Sequence, residues 1–289
     1  MARVDVIIPT YNRSERLLKA LDSVFSQTFK DIRIIVVDDG STDATSEVLY
    51  PFMNRITYLR HERNKGVSAA RNSGIMAGSA PLLAFLDSDD YWLPAKLEEQ
   101  VCFFSHRAEA GACQTEEIWI RNGRRVNPCK HHKKPSGNVF QESLKLCVVS
   151  PSAVMLRRSL LDEKGMFDEE LPACEDYDLW LRISSNTPIY LIKKRLVVKQ
   201  GGHSDQLSRL YEGMDRFRIK AIVKLLKSGV LESDLAETAL RELDHKCRIY
   251  GQGCLKRGKI HEGERYLALC SRLREQLVSQ RRLQRDKEL

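Results

Sequence analysis

Short apolar runs punctuate the first ninety residues of the chain at regular intervals. Each run is too brief for a helix and is rich in β-branched residues, which predicts a buried strand. The runs are Val4–Pro9, Ile32–Val37, Ile56–Leu59 and Leu82–Leu86. Strands with so few polar residues, joined by helices, are typical of a parallel sheet that is covered on both faces. The pattern therefore predicts an α/β fold.

Helical periodicity fills the gaps between these strands. Asn12 can cap the first helix, with Glu15 three positions later as the second member of a capping box. Two further helices are predicted, one through Val48-Leu49 and one over Val67–Ala77. The first ninety residues thus alternate strand and helix throughout.

The middle of the chain is less regular. Asn122-Gly123 lies between two β-rich segments and predicts a two-residue hairpin turn. A strand is expected at Ser152–Leu156 and a helix at Tyr177–Ser184. Ile189–Ile192 and Leu196–Lys199 are interpreted as a closing pair of strands.

After Gly201-Gly202 the pattern becomes helical to the end of the chain. Apolar residues at helical spacing predict three helices. They extend over about residues 207–225, 235–254 and 266–277. The last two flank Gly258 and predict a helical hairpin, loosely like one tetratricopeptide unit.

Composition excludes few function classes. Hydrophobic residues make up 42% of the 289 residues and charged residues 30%, which argues against disorder. The net charge of +8 suits any anionic partner, whether nucleotide phosphates, an acidic glycan, nucleic acid or a membrane surface. The eight cysteines form no C-x-x-C pair and are expected to be reduced packing thiols of a cytosolic protein. Signal-peptide and membrane-span patterns are both absent, which also favours the cytoplasm.

Three polar clusters follow the ends of predicted strands. Tyr11-Asn12 follows the first strand, Asp38-Asp39 the second and Asp87–Asp90 the fourth. The carboxyl ends of parallel strands meet at one edge of a sheet, and ligands of open α/β sheets bind there. The three clusters therefore predict one site.

Two acidic motifs suit the transfer of a sugar from a nucleotide diphosphate. Asp87-x-Asp89 offers hard oxygen ligands for Mg²⁺ or Mn²⁺, which can neutralise the charge of a departing diphosphate. Glu175-Asp176 can supply the base that takes the proton of an attacking hydroxyl. The alternative for each motif is that its carboxylates only cap the helix that follows.

Five motifs occur in a fixed order along the chain. They are Val6–Asn12, Val36–Asp43, Asn64–Asn72, Leu86–Asp90 and Glu175–Arg182. This series resembles glycosyltransferase family 2, over about residues 3–200. The resemblance implies the GT-A fold, a Rossmann-like, mostly parallel sheet flanked by helices, in residues 1–203. It divides that domain into a nucleotide-sugar half (about 1–92) and an acceptor half (about 93–203), followed by a helical C-terminal segment (204–289).

By this resemblance, the donor and metal sites can be assigned residue by residue. The nucleotide-sugar site takes Pro9, Tyr11, Asp38, Asp39, Arg71, Asp87 and Ser88. Asp89 is expected to bind Mn²⁺ or Mg²⁺ together with Asp87, and His203 completes the metal site unless it is an ordinary loop histidine.

The resemblance also implies the reaction. Asp176 is expected to be the general base, and Glu175 to orient the donor or the acceptor. The predicted function is inverting transfer from a nucleotide diphosphate sugar, with uridine diphosphate favoured, to a hydroxyl of a glycan or a lipid-linked acceptor. The expected pathway is the biosynthesis of a cell-surface glycan, and a surface polysaccharide, the lipopolysaccharide core and a protein glycan all remain open as acceptors.

Several alternatives remain at the level of sequence. A nucleotidyltransferase would carry a Gly-rich phosphate loop after the first strand, which Pro9–Asn12 lacks. A catalytically inactive sugar-binding or nucleotide-binding module is disfavoured by the intact acidic motifs. Nucleic-acid binding is not expected, because no corresponding motif accompanies the charge. The basic stretch Lys130–Pro135 is either a solvated turn or an acceptor loop, and the C-terminal helices either present a solvated face or dock peripherally on a membrane.

Overall fold

The computed structural model of the chain describes residues 2–127, 133–203, 206 and 210–288, with side chains described as far as residue 279. Nine strands in these ranges form one sheet. The strands are β1 Val4–Thr10, β2 Ile32–Asp38, β3 Thr57–Arg60, β4 Leu82–Phe85, β5 Tyr91–Trp92, β6 Ala112–Arg121, β7 Arg124–Val126, β8 Val154–Arg157 and β9 Ile189–Gly201. Their order is β3-β2-β1-β4-β8-β6-β9-β5, with β7 paired to β6.

Helices cover both faces of this sheet and form the C-terminal segment. They are α1 Ser14–Phe25, α2 Thr45–Leu49, α3 Val67–Ala77, α4 Lys96–His106, α5 Phe140–Lys145, α6 Arg158–Lys164, α7 Glu175–Ser184, α8 Asp215–Lys227, α9 Ser233–Lys256, α10 Ile260–Leu267 and α11 Leu269–Glu288. No helix in the described part of the chain is both long enough and apolar enough to cross a lipid bilayer.

The N-terminal half of the sheet is parallel, as the apolar runs predict. β1 pairs with β2 and with β4, and β2 pairs with β3, in parallel register throughout. Because successive side chains of a strand point to opposite faces, Val6 and Ile8 pack with α1 while Ile7 packs with α3. Polar residues at the ends of β1, β2 and β4 thus reach the same edge.

The C-terminal half of the sheet is mixed. β8 is antiparallel to both β4 and β6, and β9 runs parallel to β6. The prediction of two closing strands is wrong, since 189–201 is one strand whose register against β6 shifts around Glu116. The shift leaves Lys193–Arg195 exposed, and this charged interruption made one bulged strand look like two.

The first helix is not capped by Asn12. Asn12 has φ 51° and its side-chain oxygen accepts the backbone N–H of Thr42, 2.8 Å away in the loop after β2. The Ser14 N–H at the start of α1 is bound instead by Asp43 Oδ2 at 3.1 Å. The capping-box prediction is therefore wrong because a neighbouring loop supplies the cap, which a local sequence pattern does not reveal.

The hairpin at Asn122-Gly123 is confirmed. Both turn residues have positive φ, 49° and 73°, as a two-residue turn between antiparallel strands requires. Of the basic stretch that follows, residues 130–132 lie outside the described residues.

The C-terminal helices pack against the sheet domain. Their apolar residues form one core with α5 and α7, in which Phe217 and Leu243 join Phe140 and Tyr177. The hairpin around Gly258 is confirmed, with φ 74° at that residue. Within the described residues the predicted first helix is seen as α8 from Asp215, and Leu210 is also helical. The predicted third helix is interrupted at Ala268 and forms α10 and α11. Leu207, the first residue of the predicted apolar face, lies outside the described residues.

Candidate active site

Arg71 joins the two acidic motifs of the chain. It lies on α3, its side chain is only 4% exposed, and its two terminal nitrogens donate to different carboxylates. One donates to Glu175 Oε1 at 2.6 Å and the other to Asp87 Oδ1 at 2.7 Å. The ring of Phe167 lies 5.0 Å from the guanidinium carbon and covers it. The end of β4 and the start of α7 are thereby held together by one side chain.

Burial and charge act on these three groups in opposite directions. Burial alone would lower the pKa of Arg71, but Asp87 and Glu175 raise it above its usual value, so it stays charged. Burial would raise the pKa of Asp87, but Arg71 and other cations hold it below its usual value. The pKa of Glu175 is raised, by burial and then by the adjacent Asp176, against the effect of Arg71.

Asp89 and His203 lie together, as expected of a metal site. His203 Nε2 is 3.1 Å from Asp89 Oδ2, and Arg13 contacts the same oxygen at 3.0 Å. Within the described ranges no three histidine, cysteine or acidic side chains converge as a metal cage. Mg²⁺ and its relatives are commonly held by one or two carboxylates plus substrate phosphates, so a carboxylate and an imidazole within contact distance fit such an ion.

Hydrogen bonds to Ser152 and to β9 stabilise the loop that carries these aspartates. Ser152 Oγ accepts the Asp87 N–H at 3.2 Å and donates to Asp90 Oδ2 at 2.7 Å. Asp90 Oδ1 also accepts the Gln200 N–H at 3.0 Å, which ties the loop to β9. Burial raises the pKa of Asp90 to about 8. Ser88, between the two predicted ligands, is buried as well.

The capping alternative does not account for the acidic motifs. Helix α4 has Ala95 at its N-cap position and no side-chain cap, so neither Asp89 nor Asp90 caps it. The N-cap position of α7 is Cys174, again without a side-chain cap. Helix capping therefore explains neither motif.

Asp176 lies at the first turn of α7 and is partly buried. Its Oδ1 accepts the Tyr177 N–H at 2.7 Å, and the thiol of Cys147 donates to its Oδ2 at 3.3 Å. Burial and then Asp176 raise the pKa of Cys147 well above its usual value, which keeps the thiol protonated as a donor. A carboxylate has about four lone-pair positions, so Asp176 keeps acceptor capacity for a substrate.

The predicted nucleoside residues lie on β1, β2 and the loops after them. Pro9 is buried in β1, and Tyr11 just beyond it is 42% exposed. Asp39 accepts the N–H groups of Lys65 and Gly66 at 2.9 and 2.8 Å.

Asp38 is fully buried, and both of its oxygens are used within the protein. Ser41 N–H donates to one oxygen at 2.7 Å and the Tyr58 hydroxyl to the other at 2.8 Å. Its side chain therefore supports the loop after β2 from inside the fold.

Several residues at the site were not predicted from the sequence. His61 Nδ1 is 2.6 Å from Asp39 Oδ1, and its Nε2 is 2.9 Å from Ser73 Oγ. Arg13 contacts Asp89, and Cys147 contacts Asp176. Arg13 follows the Tyr11-Asn12 cluster directly and could have been found by that position. His61 and Cys147 carried no comparable signal.

Comparison with known proteins places the chain among glycosyltransferases. The family model "Glycosyl transferase family 2" matches residues 5–165. An uncharacterised glycosyltransferase of Rickettsia felis is 36% identical over 67% of this chain and 32% of its own length. The Escherichia coli UDP-Glc:alpha-D-GlcNAc-diphosphoundecaprenol beta-1,3-glucosyltransferase WfaP is 32% identical over 64% of this chain and 71% of its own. This chain thus spans about a third of the length of the Rickettsia relative.

Solved structures share the fold. S. aureus TarS 1-349 in complex with UDP-GlcNAc aligns with a TM-score of 0.68 at 18% identity, over 95% of this chain and 92% of TarS. The Pyrobaculum calidifontis mannosyltransferase PcManGT, in complex with GDP-Man and Mn²⁺, aligns with a TM-score of 0.59 at 18% identity, over 96% of this chain and 83% of PcManGT. These alignments confirm the predicted GT-A fold with its added C-terminal helices.

Proposed function

The chain belongs to glycosyl transferase family 2, and on that premise we propose that it transfers a sugar from a uridine diphosphate sugar to an acceptor hydroxyl, with inversion at the anomeric carbon. The observation that carries the proposal is the bridge from Arg71 to both Asp87 and Glu175. This bridge fixes the donor-side aspartates against the helix that presents Asp176. Donor and base are then held at one point of the sheet edge.

The donor nucleoside would lie along the ends of β1 and β2. Pro9 and the exposed ring of Tyr11 would form one wall. Asp39 would offer the nucleobase the one lone pair that His61, Lys65 and Gly66 leave. Asp38, whose oxygens are already bound by Ser41 and Tyr58, would hold the loop in place from behind. The name of the relative WfaP includes UDP-Glc, and TarS was solved with UDP-GlcNAc. Both support uridine as the nucleoside of the donor.

A divalent metal is part of the proposal. Mn²⁺ or Mg²⁺ would supply positive charge that neutralises the departing diphosphate. Asp89 and His203, already 3.1 Å apart, would hold the ion, with Asp87 beside the diphosphate. Mn²⁺ in the complex of PcManGT supports a metal in this fold.

Asp176 would remove the proton of the acceptor hydroxyl. Glu175 is less suited to this role, because its Oε1 is already bound by Arg71 and because burial, followed by the adjacent Asp176, raises the pKa of Glu175. The hydroxyl oxygen forms a bond to the anomeric carbon as the bond to the diphosphate breaks on the opposite face, and the proton goes to Asp176. Because this is a single displacement, the configuration inverts. The presence of every acidic motif residue argues against an inactive binding module.

The acceptor would be a sugar on a lipid-linked diphosphate. WfaP, whose own length this chain covers by 71%, is named for such an acceptor. A lipid-linked acceptor requires access to a membrane surface, and the basic C-terminal helices offer a peripheral contact on its cytoplasmic side. The product would enter a surface polysaccharide or lipopolysaccharide.

A thermal-shift panel tests the donor and metal assignments. Uridine, guanosine and thymidine diphosphates and their sugars would each be measured with Mn²⁺, Mg²⁺ or EDTA. We expect stabilisation by one uridine diphosphate sugar, lost in EDTA and in Asp89→Asn, and retained in Asp176→Asn. Absence of any nucleotide response under all metal conditions would rule out the donor site.

A further inference from the structure

Two lysines lie near one buried carboxylate, and one of them contacts it. Glu117 lies on β6 and its side chain is 4% exposed. Lys134 Nζ is 3.2 Å from Glu117 Oε1 and also donates to Gln114 Oε1 at 2.8 Å. Trp119 donates its indole N–H to the other oxygen of Glu117 at 2.9 Å. Burial would raise the pKa of Glu117, but Lys134 and Lys199 outweigh it and lower the pKa to about 2. Glu117 is therefore ionised.

Lys199, the second lysine, has no such partner of its own. It lies on β9 opposite Trp119, is partly buried, and donates to the Ser150 hydroxyl at 3.2 Å. Among the described residues no carboxylate oxygen lies within the 4.0 Å of an ion pair from its Nζ, in contrast to Lys134. The described residues use one of the three N–H donors of its ammonium, at Ser150, so two remain for a ligand.

Lys199 nevertheless lies close to the proposed base. Its partner Ser150 follows Val149, whose carbonyl oxygen is 3.3 Å from the Cys147 thiol, and the same thiol contacts Asp176. Burial alone would lower its pKa, but four carboxylates around it raise it above the usual value. They belong to Glu117, Asp90, Asp87 and Asp176. Lys199 thus keeps its charge, close to the proposed base yet in contact with no carboxylate.

Lys134 lies in a different segment of the chain from Lys199, before α5. Glu117, which Lys134 contacts, also accepts the indole N–H of Trp119, the residue opposite Lys199 on the neighbouring strand. The two ammonium groups, which we call the lysine pair, therefore lie near one another, and Lys199 connects them through Ser150 to the segment of Cys147, whose thiol donates to Asp176 at 3.3 Å. The two terminal nitrogens of Arg71, by comparison, are each bound by a carboxylate within 2.7 Å.

We propose that the lysine pair, Lys134 and Lys199, binds a phosphoryl group of the acceptor substrate. This inference rests on the proposed function, because it takes Asp176 as the base. A phosphoryl group on the anomeric carbon of the acceptor sugar lies one ring width from the sugar hydroxyls. The phosphoryl group can contact the lysine pair while a sugar hydroxyl contacts Asp176. The pair would then distinguish phosphorylated acceptors from neutral glycans.

The donor diphosphate offers the same chemistry, so the experiment first occupies the donor site. Calorimetric titration would use farnesyl diphosphate as the probe, on protein saturated with UDP and Mn²⁺, and farnesol as the uncharged counterpart. The variants are Lys199→Met, Lys199→Gln and Lys134→Met. Lys194→Met on the same strand and Lys133→Met beside Lys134 are matched controls, since both residues are exposed.

We expect farnesyl diphosphate to bind the UDP-loaded protein, and farnesol to bind much more weakly. Loss of either lysine should weaken farnesyl diphosphate binding by roughly tenfold to a hundredfold, as expected for a charge-assisted hydrogen bond. The control variants, and UDP affinity in all variants, should change by no more than about twofold. Lys199→Gln keeps a polar side chain and carries the test if Lys199→Met does not fold.

Two results would overturn the inference. One is equal affinity for farnesyl diphosphate in the wild type and the lysine variants. The other is a loss of UDP affinity by the same factor, which would assign the lysines to the donor. The proposed function fails separately, if UDP does not bind the wild-type protein in the presence of Mn²⁺.

Discussion

Replacing Arg71 by methionine keeps a side chain of similar length but removes the cation that contacts both Asp87 and Glu175. Glu175 is 5% exposed and would lose its 2.6 Å partner, while Asp87 is 25% exposed and can be partly rehydrated. Removing one partner of a buried ion pair costs about 3–5 kcal/mol. Glu175 can take up a proton, since burial already raises its pKa, so we expect a loss near the lower end, about 3 kcal/mol.

Urea unfolding of Arg71→Met, Glu175→Gln and the double variant would measure this coupling. Glu175→Gln leaves Arg71 paired with Asp87, so it should cost about 1–2 kcal/mol. The double variant should lose less than the sum of the single variants, by about 1–3 kcal/mol, because its two changes remove the same contact.

Arg248→Met is a suitable control for this cycle. Arg248 also pairs with a carboxylate, Asp244 at 2.7 Å, but its side chain is 67% exposed. Such surface pairs contribute about 0–1 kcal/mol. Additive losses in the cycle, or an Arg71→Met variant no less stable than Arg248→Met, would refute the interpretation of Arg71 as the joint of the two acidic motifs.

Three further predictions concern Lys96, Asp43 and Asp89. Lys96 is fully buried beside Trp92 and burial puts its pKa well below its usual value, so the folded state lacks a proton that the unfolded chain binds. Stability should therefore rise as pH rises toward the unfolded value of about 10.4, by up to about 1.4 kcal/mol per pH unit relative to Lys96→Met, in urea unfolding at several pH values. Asp43→Ala should cost about 1–2 kcal/mol, because Ser14 and Thr45 N–H groups lose their acceptor, whereas Asp43→Asn should cost much less by the same assay. Asp89→Asn should abolish the dependence of nucleotide binding on Mn²⁺ in calorimetry, and unchanged dependence would exclude Asp89 as a ligand.

Hydrophobic periodicity correctly predicted the elements whose pattern is set by the local sequence. The strands at Val4–Thr10 and Ile32–Asp38 are buried along most of their length, so their apolar runs are unbroken, and helix Val67–Ala77 was predicted to the residue. The single strand Ile189–Gly201 was missed because a bulge exposes charged residues at its centre. The cap of the first helix was misassigned because Asp43 reaches it from another loop.

The candidate site, too, could be predicted only in part. Motif order brought Asp87, Asp89 and Asp176 into consideration, and the structure places His203 against Asp89 as the sequence suggested. The contacts that organise the site, such as Arg71 with Glu175, join residues more than a hundred positions apart. Lys199 belongs to a strand and carries no motif of its own, so only the packing of β6 against β9 reveals its surroundings.

Asp176 is proposed as the base of a sugar transfer from a bound nucleotide sugar. The most direct measurement is release of UDP from the uridine diphosphate sugar that binds, in the presence of Mn²⁺ and a sugar-diphosphate-lipid acceptor, for wild type and Asp176→Asn. We predict acceptor-dependent release by the wild type and a loss of at least about a hundredfold in the variant, with nucleotide affinity unchanged. Full activity in Asp176→Asn would exclude Asp176 as the base.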